Sequence, residues 1–138
     1  MFGDITIPFD SVMLFNVIKL KPETKMEDVE IALGEMCNVV KNTYGNEQGG
    51  FIAGQVFRYA GFVSPEGSLN ADSASSSSPP SDNQPNEHLA IVTFWRSFPQ
   101  HEKSHADKIF KEKFSALAQY CYSTYELGYQ LLWQGVPE

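Results

Sequence analysis

Two stretches of this chain repeat one design, an apolar strand, an amphipathic helix and a second apolar strand, on either side of a Ser/Pro/Asn tract that carries no apolar pair. That order is a split βαβ arrangement. It builds an α+β domain, βαββαβ, with one four-stranded antiparallel sheet and both helices on one of its faces. The other face, here also rich in apolar side chains, then needs a cover that these elements do not supply.

The elements read as follows. Val12 to Leu20 (VMLFNVIKL) is dense in branched residues and reads as a strand that Pro22 ends. Thr24 and Glu27 form a capping-box pair at a helix start. Met26, Val29, Leu33, Met36, Cys37, Val40 and Tyr44 follow at spacings of three and four, and Gly45 stops that helix. Gly50 to Val63 is the second strand, bent at its glycines, and His88 to Trp95 (HLAIVTFW) the third. Ser97, Pro99 and Gln100 start a second helix whose buried stripe runs Ala106, Ile109, Phe110, Phe114, Leu117, Cys121 and Tyr125. Leu127 to Val136 is the last strand, with Leu127, Tyr129, Leu131 and Trp133 on one side. The expected organisation is an N-terminal arm over 1–11 and a single domain over 12–138, interrupted by a flexible loop at 65–86.

Composition narrows the partners. Seventeen Asp+Glu against ten Lys+Arg give a net charge of -7, and no basic stripe exists to meet a phosphate backbone, so no nucleic acid is expected. No run of 18 apolar residues is present, so no membrane span is expected, and the opening residues lack the pattern of a secretion signal. A cytoplasmic protein with two reduced thiols, Cys37 and Cys121, is the reading. An apolar sheet face is too large a patch for a soluble monomer, which makes a homodimer closed through its sheet faces the expected assembly.

Residues 101–105 read His-Glu-Lys-Ser-His, a literal H-E-x-x-H, with Glu126 downstream where a third ligand could stand. On a helix the two histidines share a face, as zinc ligands must, and the Glu could activate a water. The context points away from a zinc protease. Lys103 and Ser104 intervene, the motif occupies what are normally the exposed first turns of a helix, and no second lobe is present to dry the cleft. No metal is therefore expected. His101 and His105 read instead as residues at the mouth of a cavity between helix and sheet, or as solvated surface.

The element order, the phrase LFNVIKLKPETKMEDVE and the phrase AIVTFWRSFPQHEKSHADKIF resemble the dimeric α/β-barrel superfamily, a ferredoxin-like group. The likeness is to its small antibiotic-biosynthesis-monooxygenase-type proteins and covers 12–64 and 87–136. There a strand ending in an aromatic residue, here Trp95, is followed by a Ser and a helix bearing a His, here His105. The resemblance implies homodimers whose sheets close into a barrel with a ligand cavity in each subunit. It also implies activities that include cofactor-free oxidation of aromatics, and haem degradation. Asn16 matches the strand Asn of the haem-degrading branch. That branch's helix Trp and axial His have no counterpart near Ser104 and Phe114, so no haem or other cofactor is expected.

Two functions compete. In the first, an enzyme acts on a small apolar or aromatic molecule. Asn16 and Arg58 fix its polar groups, Trp95 stacks on it, His88 lines the pocket, and His101 or His105 accepts a proton. In the second, a dimeric stress-associated or ligand-binding protein uses the same pocket without catalysis. A scaffold acting through the Ser-rich loop is a third possibility.

Overall fold

The computed structural model describes residues 3–70 and 88–137. Four strands form the main sheet: β1 (Val12–Leu20), β2 (Phe51–Arg58), β5 (His88–Trp95) and β6 (Cys121–Gln130). Their order across the sheet is β2-β5-β1-β6, and every neighbouring pair is antiparallel. A two-residue ribbon, β3 (Phe62–Val63) with β4 (Leu69–Asn70), stands apart from it. Helices α1 (Met26–Tyr44), α2 (Phe98–His105) and α3 (Lys108–Ala118) complete the chain. This is the expected ferredoxin-like α+β fold, with three helical segments in place of two.

The core lies between the helices and one face of the sheet. Alternation sends Leu14, Ile18 and Leu20 of β1 and Leu89, Ile91 and Trp95 of β5 to that face, where each is at least nine-tenths buried. Val29, Leu33, Met36 and Val40 of α1, with Phe110 and Leu117 of α3, close over them. The opposite face carries Phe57, Tyr125, Leu127 and Tyr129, all between 45% and 50% exposed.

Four boundaries differ from the expectation, each for a local reason. The second strand stops at Arg58, and Phe62–Val63 turns out of the sheet to pair with Leu69–Asn70. The rest of the expected flexible loop, 71–86, lies outside the described residues. The single second helix is two, because Asp107 caps a new one: its Oδ1 accepts from Ile109 N at 2.8 Å and Phe110 N at 3.1 Å. The last strand begins at Cys121 and ends at Gln130, so Cys121 and Tyr125 belong to β6 rather than to a helix stripe. Leu131 and Trp133 fall beyond the strand, and Trp133 is 79% exposed. At α1 the cap position is Lys25, which offers no side-chain acceptor, so the Thr24–Glu27 box does not form there.

The start of α2 keeps its predicted signals and adds one. Ser97 Oγ accepts from Gln100 N at 3.3 Å and donates to Gln100 Oε1 at 2.9 Å. Gln100 Nε2 donates to the carbonyls of Glu47 (3.1 Å) and Gln48 (3.0 Å), tying the helix to the loop before β2. Gly50 makes that approach possible. Its φ is +82°, and a Cβ there would stand 2.5 Å from the Gln100 side-chain carbon.

Candidate functional site

A cavity of about 1030 Å³ opens between the helical layer and the sheet, lined by residues of β1, β2, β5 and β6, all three helices and the arm segment Gly3–Thr6. Apolar groups make most of its wall, among them Ile91, Phe110 and Phe114. Four of its polar groups, Asn16, His101, His105 and Glu126, gather at one place.

That place is built by two elements far apart in sequence. On α2, His101 and His105 are one turn apart and share a face. On β6, Glu126 pairs directly across from Asn16 of β1, and both side chains point to the helical side of the sheet. His101 Nε2 lies 2.7 Å from His105 Nε2 and 3.3 Å from Glu126 Oε2, and His105 Nε2 lies 3.8 Å from Glu126 Oε1. The other ring nitrogen of His101, Nδ1, is 3.2 Å from Glu102 Oε1.

The exposure expected of the first turns of this helix is not found. His101 is 3% exposed and Ser104 1%, because α2 packs against the end of β5 and sets the His101 ring edge-on to Trp95, centroids 5.2 Å apart. His105 is half-exposed and rests on Phe110 at 5.0 Å. Ser104 turns its hydroxyl inward, donating to the His101 carbonyl at 2.6 Å. The intervening Lys103 and Ser104, which made the motif look solvated, thus divide between the two sides of the helix.

The charges sort themselves around this cluster. Burial works against a charged His101, but the hydrogen bonds and negative charge of Glu126 and then Glu102 prevail and hold its basicity above the usual imidazole value. His105 is pushed the other way, first by burial and then by the charge of His101. Burial would lift the Glu126 carboxyl; contact with His101, helped by His105 and the Asn16 amide, brings it below its ordinary value. Two Nε2 atoms 2.7 Å apart need one hydrogen between them. His101 is then the donor, to Glu102 at one end and into the cluster at the other, and His105 presents the lone pair.

Of the residues singled out from the sequence, Asn16, Trp95, His101 and His105 line the cavity. Trp95 is 2% exposed, its ring wedged among Tyr44, Phe51 and His101 and its Nε1 donating to Thr93 Oγ1 at 3.0 Å. It is a wall more than a stacking platform. Arg58 and His88 do not line the cavity. Arg58 is exposed at the far end of β2, and His88 is on the opposite face of the sheet, stacked on Tyr59 at 4.3 Å. Glu126 and Glu102 were the residues not assigned to the site. The signal for the first was its place downstream of the H-E-x-x-H spacing, read there only as a possible third zinc ligand. Cys37 also lines the cavity, and burial raises its thiol pKa.

No family model matches this sequence, and neither does any curated protein. Solved structures do resemble it. SnoaB from Streptomyces nogalater, a cofactor-independent oxygenase, superposes with a TM-score of 0.60 at 12% identity, over 94% of this chain and 99% of its own. The hydroxynitrile lyase of Passiflora edulis gives 0.61 at 12% identity, over 94% of this chain and all of its own. A dimeric protein of unknown function and ferredoxin-like fold from Bacteroides fragilis gives 0.52 at 10% identity, over 87% and 95%. An antibiotic-biosynthesis-monooxygenase-type protein from Caulobacter crescentus gives 0.60 at 10% identity, over 89% and 91%. With its element order, strand order and helical layer, the chain has a ferredoxin-like α+β fold, similar to that of these solved structures.

Proposed function

We propose that the protein is a homodimer, closed sheet to sheet, that binds a small apolar or aromatic molecule in each subunit's cavity. There it takes a proton from the molecule, as a cofactor-free, monooxygenase-like enzyme would. The observation that carries this reading is the imidazole pair braced by Glu126 within an otherwise mostly apolar wall. An apolar cavity with a few convergent polar groups is the usual form of a small-molecule site. His105, the more exposed of the two rings, is the acceptor at Nε2 when His101 Nε2–H turns to Glu126, 3.3 Å away; His101 and Glu126 position it. A general base so placed contributes roughly a hundred- to ten-thousand-fold in rate. The oxygenase and lyase named above are consistent with small-molecule chemistry on this fold.

Self-association follows from the open face. Tyr125, Leu127 and Tyr129 on β6 and Phe57 on β2, at the two borders of this face, are exposed apolar groups of the kind soluble monomers seldom leave bare together. Leu127→Glu should turn a dimer into a monomer in sedimentation, and an unchanged dimer would remove that face from the interface.

The test of the chemistry uses a hydroxylated naphthalene and chelator-treated protein. Wild type should bind it and shift its absorption from the phenol to the phenolate form. His105→Ala should bind but leave it neutral. Binding without ionisation in wild type would leave the non-catalytic ligand-binding protein as the better description.

A further inference from the structure

We propose that His101 Nε2, His105 Nε2 and the Glu126 carboxylate bind one divalent transition-metal ion in place of the hydrogen they share, with its open coordination positions facing the cavity. This goes beyond the reading of the cavity as a proton-transfer site, which stands whether or not an ion binds.

Distance is the first argument. Zinc holds His nitrogen and carboxylate oxygen at about 2.0–2.2 Å, so two atoms on one ion can be no farther apart than about 4.2 Å. The three separations here are 2.7, 3.3 and 3.8 Å. The edge of a regular tetrahedron built on those bond lengths is about 3.4 Å. The two imidazoles therefore need to part by only about 0.7 Å, a small rotation for His105, the half-exposed one.

The surroundings are the second argument. A metal-bound histidine nearly always gives its other ring N–H to a carboxylate or carbonyl, which fixes the tautomer and aims the free lone pair at the ion. Glu102 does this for His101, at 3.2 Å from Nδ1. The Glu126 carboxylate is held in turn by the amide of Asn16, its cross-strand neighbour, which also donates to the Ile91 carbonyl at 3.5 Å. Ligands and outer partners thus come from three elements that the fold already fixes.

The third argument is the opening. His101, His105 and Glu126 all border the cavity. Three protein ligands with one side free is the pattern of an ion that can take a water or a ligand oxygen, whereas purely structural sites use four. The H-E-x-x-H spacing is reused in a new way, since its Glu serves the first histidine instead of a water.

The experiment is a titration of chelator-treated full-length protein, with zinc followed by calorimetry and cobalt(II) by visible absorption. Wild type should take up one ion per chain, saturably. His105→Ala and Glu126→Gln should each weaken uptake by at least ~100-fold, the upper end of what loss of an outer partner alone costs. Glu102→Gln should weaken it by about 10–100-fold. His88→Ala, which removes the one histidine outside the cluster, should change nothing. Glu126→Gln preserves side-chain volume and keeps the test alive if the alanine variant does not fold. No saturable uptake in wild type, uptake unchanged in both ligand variants, or uptake lost in His88→Ala would each overturn the proposal. Because the naphthalene experiment is run free of metal, ionisation there without ion uptake here would remove only this inference.

Discussion

Gly50→Ala is the perturbation whose cost can be worked most directly from the structure. Gly50 sits at φ +82°, where a side chain costs about 1–2 kcal/mol. The new methyl would also stand 2.5 to 2.8 Å from three atoms of the Gln100 amide group. That amide is the far end of a flexible side chain, so it would swing away and give up its contacts to the Glu47 and Gln48 carbonyls. Both contacts are solvent-exposed, so each is worth about 0.5 kcal/mol, the low end for a hydrogen bond. The total is about 2–3 kcal/mol, or a fall in melting temperature of roughly 8–12 °C for a domain this size. Urea denaturation of wild type, Gly50→Ala, Gln100→Ala and the double variant separates the two parts. In the Gln100→Ala background Gly50→Ala should cost only the backbone strain, leaving a coupling of about 1 kcal/mol. A single-variant loss under about 0.5 kcal/mol, the scale of an ordinary surface change, would refute the reasoning, as would strict additivity.

Two further outcomes are expected. Leu117 is 1% exposed beneath α3, and Leu117→Ala should lose about 2–5 kcal/mol in chemical denaturation; a loss within about 0.5 kcal/mol would place it at the surface instead. Tyr44 donates to Asp107 Oδ2 at 2.6 Å, which lowers the Asp107 pKa; burial and then Asp107 lift the phenol to about 12. The Asp107 contribution is present above its unfolded value and fades as pH falls through its lowered folded one. The Tyr44 contribution is present below its unfolded value and fades as pH rises through about 12. The difference in melting temperature between wild type and Tyr44→Phe should therefore hold across the neutral range and shrink toward both extremes. A difference that persists unchanged into strong acid would contradict the pairing.

The strands and helices most legible in the sequence are those whose pattern admits one period. Val12–Leu20 and His88–Trp95 are unbroken apolar runs, and the α1 stripe repeats over five turns. The C-terminal third misled because Cys121 and Tyr125 are spaced four apart like a helix stripe, whereas the register shift opposite Lys19 and Leu20 sends Cys121 to the core and Tyr125 to the open face. The break between α2 and α3 was hidden because Asp107 reads as an ordinary polar surface position until its side chain is seen capping Ile109 and Phe110. The histidine pair was visible as a spacing, but its burial was not, since that depends on where α2 lands against Trp95. Glu126 depends on register. Only the pairing of β6 with β1 sets it opposite Asn16 and within reach of a helix some twenty residues upstream.

Glu126 rides on β6, an edge strand whose one neighbour in the sheet among the described residues is β1. The same strand gives Tyr125, Leu127 and Tyr129 to the open face. One ladder of amide bonds thus keeps a carboxylate aimed inward and a row of aromatic and aliphatic groups aimed outward. Any fraying of that border would blunt the imidazole cluster and the outward surface in a single motion. Whatever presses on the outside of this border strand therefore also steadies the chemistry on its inside.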